Sequence, residues 1–115
     1  NENVKFNRAN GTNTHWSNVV KYGSDEGWWL NIPFHKFSRD LNLILNNEKQ
    51  GIFFHLKIYA NSVKNPELVF RNKGETADIF MSISGINRLV DTQSGSARHN
   101  FASYPIVEHK HSQAN

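Results

Sequence analysis

The residues with the most chemistry to offer lie in two polar runs. The first, Arg8 to Lys21, carries Arg8, Asn10, Thr12, Asn13, Thr14, His15, Trp16, Asn18 and Lys21 around Gly11. The second, Arg88 to Asn100, carries Arg88, Thr92, Gln93, Ser94, Ser96, Arg98, His99 and Asn100. Arginine forks and asparagine amides make paired hydrogen bonds to guanine and adenine edges. Lysines and hydroxyls hold phosphate oxygens, and a small glycine lets backbone approach a groove. Two such arms on one β body would grip a duplex from either side. The same groups also suit ordinary solvated loops, so the runs alone leave both readings open.

Catalytic constellations are scarce. Without cysteine there is no disulfide framework, thiolate nucleophile or cysteine zinc site. His109 and His111 sit in a patternless tail, and His55 shares a strand face with Lys57 rather than with a carboxylate, which reads as an exposed strand histidine. A nuclease needs acidic residues converging near a lysine to hold a divalent cation. Asp78 and Lys57 belong to different strands, and nothing in their spacing brings them together. P-loop, HExxH, GxSxG and helix-turn-helix signatures are missing from the sequence. The expectation is a domain that is itself no enzyme, with no catalytic residue, no metal and no cofactor.

Charge and length narrow the partners. Thirteen Lys and Arg against ten Asp and Glu give +3, with a pI near 9.3, a mild lean toward an anionic partner. Sixteen asparagines are the unusual number; either they reflect drift in an AT-rich genome or they dress a surface in amide donors and acceptors. A chain of 115 residues fits one core. The longest apolar stretch, Gly51 to Ala60, is broken by His55 and Lys57, so no transmembrane helix and no signal peptide are expected, and the placement is cytoplasmic. Asn1 in place of an initiator Met suggests a processed chain or a piece of something larger.

The elements that must position the polar runs follow from periodicity. Asn3 to Arg8 alternates like a strand and runs into the turn formers Ala9 to Thr14. Trp16 to Tyr22 reads as a second strand, Gly23 to Gly27 as a turn, and Gly27 to Ile32 as a strand ended by Pro33. Phe34, Phe37, Leu41, Ile44 and Leu45 fall at helical spacing after Pro33, which predicts the one principal helix, ended by Asn46 and Asn47. Gly51 to Ala60 is the clearest strand, with Ile52, Phe54, Leu56 and Ile58 facing a core. Glu67 to Arg71, Asp78 to Ser84 and Phe101 to Val107 complete the strands, with a turn at Asn72 to Glu75. The expected fold is mainly β (α+β), a single-domain open β-barrel or pseudobarrel over residues 1–108, followed by a frayed tail over 109–115.

A resemblance sharpens this outline. The run VKFNRANGTNT, followed by GWWLNIPFHKF, resembles the opening of the DNA-binding pseudobarrels of plant B-three transcription factors and EcoRII-type restriction endonuclease effector domains. Trp28 to Phe37, with GIFFHLKIY beyond it, is also similar to the amino-terminal recognition domain of McrBC-type restriction GTPases. The resemblance implies a restriction-system DNA-recognition domain, specific for a sequence or a modification in double-stranded DNA. It would be fused to or associated with a nuclease or NTPase. Arg8, Asn10, Thr12 and Asn13 match the first arm, and Ile32-Pro33 match a strand-to-helix corner. His15 and Lys21 extend that arm. The second arm is either Asn72 to Ala77, with Lys73, or Arg88 to Asn100, with Arg88, Arg98, His99 and Asn100.

Other classes remain in view. Trp16, Trp28, Trp29 and Tyr59 would serve a carbohydrate-binding β module by stacking on sugar rings, although adjacent Trp28 and Trp29 on a strand must face opposite ways, which sends one to the core. An interaction domain of a phage or secreted protein is a third reading, with Asn10-Gly11-Thr12 as a glycosylation sequon.

Overall fold

The computed structural model describes residues 13–110. The chain is mainly β. Its strands are β1 (Thr14–Tyr22), β2 (Asp25–Pro33), β3 (Leu41–Asn47), β4 (Ile52–Ile58), β5 (Arg71–Lys73), β6 (Thr76–Ser82) and β7 (Ile106–Lys110). They form one seven-stranded mixed sheet in the order β5-β6-β2-β1-β3-β4-β7, which does not close into a barrel. A single α-helix among the described residues, α1 (Pro66–Val69), and three 3-10 turns, Phe34–Ser38, Glu48–Gln50 and Phe101–Ser103, make the connections.

The central strand changes partners along its length. From Thr14 to Asn18 it pairs in parallel with β3, and from Val19 to Tyr22 it pairs antiparallel with β2. The sheet therefore folds about β1 into two halves whose facing sides share one core. Trp28, Leu30 and Ile32 of β2 and Ile79 and Met81 of β6 meet Leu43 and Leu45 of β3 and Leu56 and Ile58 of β4, with Phe37, Phe70, Leu89 and Phe101 between. Trp28 and Trp29 do point opposite ways. Trp28 is buried, its Nε1 donating to the Asn46 carbonyl at 2.9 Å, while Trp29 lies half-buried on the outer face.

Four of the expected elements differ. The strand expected from Phe101 to Val107 opens as the 3-10 turn Phe101–Ser103, capped by Asn100, and β7 begins only at Ile106. The helix expected from Pro33 to Leu45 is instead a single 3-10 turn followed by β3. The run LNLILN satisfies both a helical and a two-residue period. Asn42, Asn46 and Asn47 are poor helix formers, and pairing on both edges with β1 and β4 buries Leu41, Leu43 and Leu45 completely. The strand expected from Glu67 to Arg71 begins as α1, because Pro66 occupies its first turn, where a missing N–H costs nothing; the backbone is extended from Phe70 and β5 starts at Arg71. The tail expected to fray from residue 109 is strand through Lys110. His109 pairs with Phe53 of β4 and stacks on its ring at 4.8 Å.

Gly27 is required by close approach. It faces Ser82 across β2 and β6, and a Cβ at this position would lie 2.0 Å from the Met81 carbonyl oxygen. Gly27→Ala should therefore cost more than about 3 kcal/mol, since backbone rather than a flexible side chain must yield. Leu56→Ala should cost about 2–5 kcal/mol by leaving a cavity in the shared core. His55→Ala, on the opposite face of β4, should cost clearly less than Leu56→Ala. Denaturant melts of the three variants check this, and equal losses for Leu56→Ala and His55→Ala would reverse the assignment of faces.

Candidate nucleic-acid interface

The first polar run is not one loop. Arg8, Asn10 and Thr12 lie outside the described residues, and from Thr14 the chain is strand. Asn13 is only 3% exposed. Its Nδ2 donates to the carbonyls of Lys36 and Asp40, both at 2.9 Å, and its own carbonyl accepts from the Asn42 amide at 2.9 Å. The expected base-reading role of Asn13 gives way to a fastening one, because its side chain is buried and its amide nitrogen holds the start of β1 to the 3-10 turn Phe34–Ser38 and the residue pair after it.

His15 sits two residues on, half-buried, opposite Leu43 of β3. Its pKa lies below the ordinary histidine value, first because burial penalises the imidazolium and then because the Lys36 ammonium is close by. Lys21 is at the far end of β1, up to about 25 Å from Asn13 at the usual strand rise.

The two alternatives for the second arm also separate. Lys73 precedes the Gly74–Glu75 turn of the β5–β6 hairpin. Thr76, opposite Lys73, also pairs with Pro33, and the Glu75 carbonyl accepts from Phe34 N at 3.1 Å. Lys73 therefore shares an end of the sheet with Asn13, His15 and the 3-10 turn. Arg88 is at the other end, bridged to Ser82, with its guanidinium 5.2 Å from the centre of the Phe54 ring.

The segment from Arg88 to Asn100 is no free arm. Leu89, Asp91 and Gln93 are buried, because the segment lies along the upper edge of β6 through bridges at Ser82 and Met81. A buried carboxylate holds it there. Asp78 accepts from Trp29 Nε1, from Asn31 Nδ2 at 2.7 Å and from Gln93 Nε2 at 3.2 Å, with Arg71 Nε 3.7 Å away. Asp91 receives the amides of Phe80 and Gln93, and burial raises its pKa.

The remaining second-arm residues are also engaged. Asn100 caps the turn Phe101–Ser103 through Ala102 N at 2.9 Å, and His99 packs against Phe70 and Phe101 with Nε2 2.6 Å from the Tyr104 hydroxyl. Arg98 is exposed and donates to Asn87 Oδ1.

Sequence reasoning passed over Lys36 and Arg39. Reading HKFSRD as part of an amphipathic helix scattered its cations around a cylinder, whereas the short turn places them at the corner that Asn13 fastens. The neighbouring Asp40 carboxylate is matched by Lys57 at 3.7 Å. Glu75 and Glu67 also belong to this end, so the cationic character is an excess and not a pure patch.

The aromatic platform loses Trp28 to the core. Trp29 is packed by Tyr22 at 4.5 Å, leaving Trp16 and Tyr59 as the exposed rings of the four. Among the described residues no group of three or more His, Asp and Glu side chains is placed to hold a metal ion, and no helix is long and apolar enough to cross a membrane. No family model matches the chain, nor does any curated protein or solved structure.

Burial also lowers the pKa of His55 and His99, so the fold favours three neutral imidazoles. A folded pKa below the unfolded one means that the unfolded chain takes up more protons as pH falls through about 6.5. This contribution to stability is whole above that value and drains away below it. Urea melts at about pH 7.5 and about pH 5.5 should show the loss. Lys36→Gln should raise the His15 pKa in an NMR titration, and an unchanged value would remove Lys36 from the His15 environment.

Proposed function

We propose that this domain recognises double-stranded DNA, specific for a sequence or a modification, and that its DNA face is the end of the sheet built from the start of β1, the turn Phe34–Ser38 and the β5–β6 hairpin. The observation that carries the reading is the fastening of Asn13 to Lys36 and Asp40. It holds the start of β1 at the corner that carries Lys36 and Arg39 and shares an end of the sheet with Lys73; Arg8, Asn10 and Thr12, which precede it in sequence, are the proposed base-reading residues. Cations at such a corner would hold phosphates, and the arginine fork and amide of the preceding segment would read base edges. The net charge of +3 supports an anionic partner.

In this reading the domain is a binding unit and not a catalyst, acting in the cytoplasm for a nuclease or NTPase that it directs to DNA. Lys21, Arg88 and Arg98 stand away from this end and contribute little.

Binding to a random duplex pool should weaken steeply with salt, with a log–log slope of about −4 to −5 for roughly four to six phosphate contacts. Lys36→Ala and Lys73→Ala should each reduce that slope by about one while weakening cognate and random DNA alike. Arg98→Ala should change neither. Arg8→Ala should lower affinity for a selected site by about 1–3 kcal/mol and random binding much less. Gel shifts and titrations across salt concentrations measure all four. Absence of binding to the pool at low salt sinks the proposal, and salt-insensitive binding to a polysaccharide in its place favours the carbohydrate reading.

A further inference from the structure

The opposite end of the sheet carries a different feature. Pairing of β1 with β3 stops at Asn18 and Asn46, while among the described residues β1 continues to Tyr22 on the β2 side alone. Beyond Asn18 the other edge of β1 borders a groove of about 500 Å³, walled by the turn Glu48–Gln50. The direction of the backbone groups there is fixed by the ladder. Glu26, opposite Lys21, turns its carbonyl away from β1 to accept from Ile83 N at 3.0 Å. Lys21 and Glu26 are therefore a non-hydrogen-bonded pair, and the N–H and C=O of Lys21 both point out of the hairpin into the groove. An open edge of this kind accepts another strand.

The groove also says what kind of strand fits. Lys21 and Lys49 are matched by Glu26 and Glu48, with Lys49 Nζ 3.9 Å from Glu26, so a polyanion or a polycation gains nothing there. Val19 and Ile83 make its apolar side. Lys21 and Val19 lie on one face of β1 and cross-strand neighbours share a face, so a residue opposite Lys21 would place an apolar side chain against this pair.

We propose that the edge of β1 at Lys21 is a docking site for an extended polypeptide segment of low net charge, added as a strand with an apolar side chain opposite Lys21, on the face that Val19 and Ile83 share. The site lies at the other end of the sheet from the proposed DNA face and does not rest on that reading. Its partner is a protein segment, and the domain would then be tethered through one end while the other remains open.

The probe is the acetylated and amidated hexapeptide Thr-Val-Thr-Val-Thr-Val, titrated into the isotope-labelled protein and followed by amide NMR shifts. Saturable shifts centred on Lys21 are expected below about 1 mM peptide, and methylation of alternate peptide backbone nitrogens should weaken binding by at least about tenfold. Lys21→Pro removes a donor that faces the groove and leaves the β2 ladder intact, so it should abolish the shifts while the protein still melts cooperatively. If that variant does not fold, the methylated peptide decides. No shifts at about 1 mM, or shifts undiminished by methylation, overturn the proposal. So do equal shifts at Lys21 from polyglutamate or a DNA duplex, which would make the groove a site of charge attraction.

Discussion

The rest of the structure depends on the divided pairing of β1. A single strand hydrogen-bonded to β3 from Thr14 to Asn18 and to β2 from Val19 to Tyr22 joins two halves of the sheet whose apolar faces share one core, so the sheet bends about it. Without that bend, the apolar faces of β2 and β6 and those of β3 and β4 would lie side by side and need a separate layer to cover them. With it they cover each other, and Phe37, Phe70, Leu89 and Phe101 fill the space at the open side. The bend also makes the two ends of the molecule unlike. At one, β1 starts among the connections to β2, β3 and β6; at the other, no strand among the described residues pairs with its edge beside the turn Glu48–Gln50.

A second constraint is the Asp78 carboxylate. A buried charge is tolerated only when its lone pairs are occupied, and here Trp29, Asn31 and Gln93 donate to it while Arg71 stands nearby. Because Gln93 comes from the long segment after β6, satisfying the carboxylate also draws that segment onto the sheet. Asp91, two residues earlier, does the same from the other side by accepting the amides of Phe80 and Gln93. A polar stretch that could have been an arm becomes a wall.

Different partners are proposed for the two ends. Fastening Asn13 to the turn Phe34–Ser38 joins the start of β1 to a basic corner, so a ligand held by Lys36, Arg39 and Lys73 would be placed at a fixed angle to that strand. The far groove has balanced charge and an open backbone edge, properties that suit a polypeptide and not a phosphate backbone. The acids paired at each end, Asp40 with Lys57 and Glu26 with Lys49, keep either surface from becoming a general polyelectrolyte site.

What the sequence determined by itself was the mainly β class, the core face of β4 and the opposed directions of Trp28 and Trp29. Each follows from the two-residue repeat of a strand, which is a local property. The β5–β6 hairpin was legible in part, since NKGE marked its turn, but Pro66 took the residues before it into a helical turn. Only the tertiary structure decided the state of Leu41 to Asn47, because LNLILN satisfies two periods and the choice falls to the strands on either side. The fate of the polar runs was decided in the same way. An asparagine reads alike whether it faces a base or two carbonyls, and Asn13 met carbonyls because the turn Phe34–Ser38 folds back against β1. Lys36, Arg39 and Lys73 are far apart in sequence and share one end of the molecule only through strand register, which is set by long-range pairing and burial and not by the residues next to them.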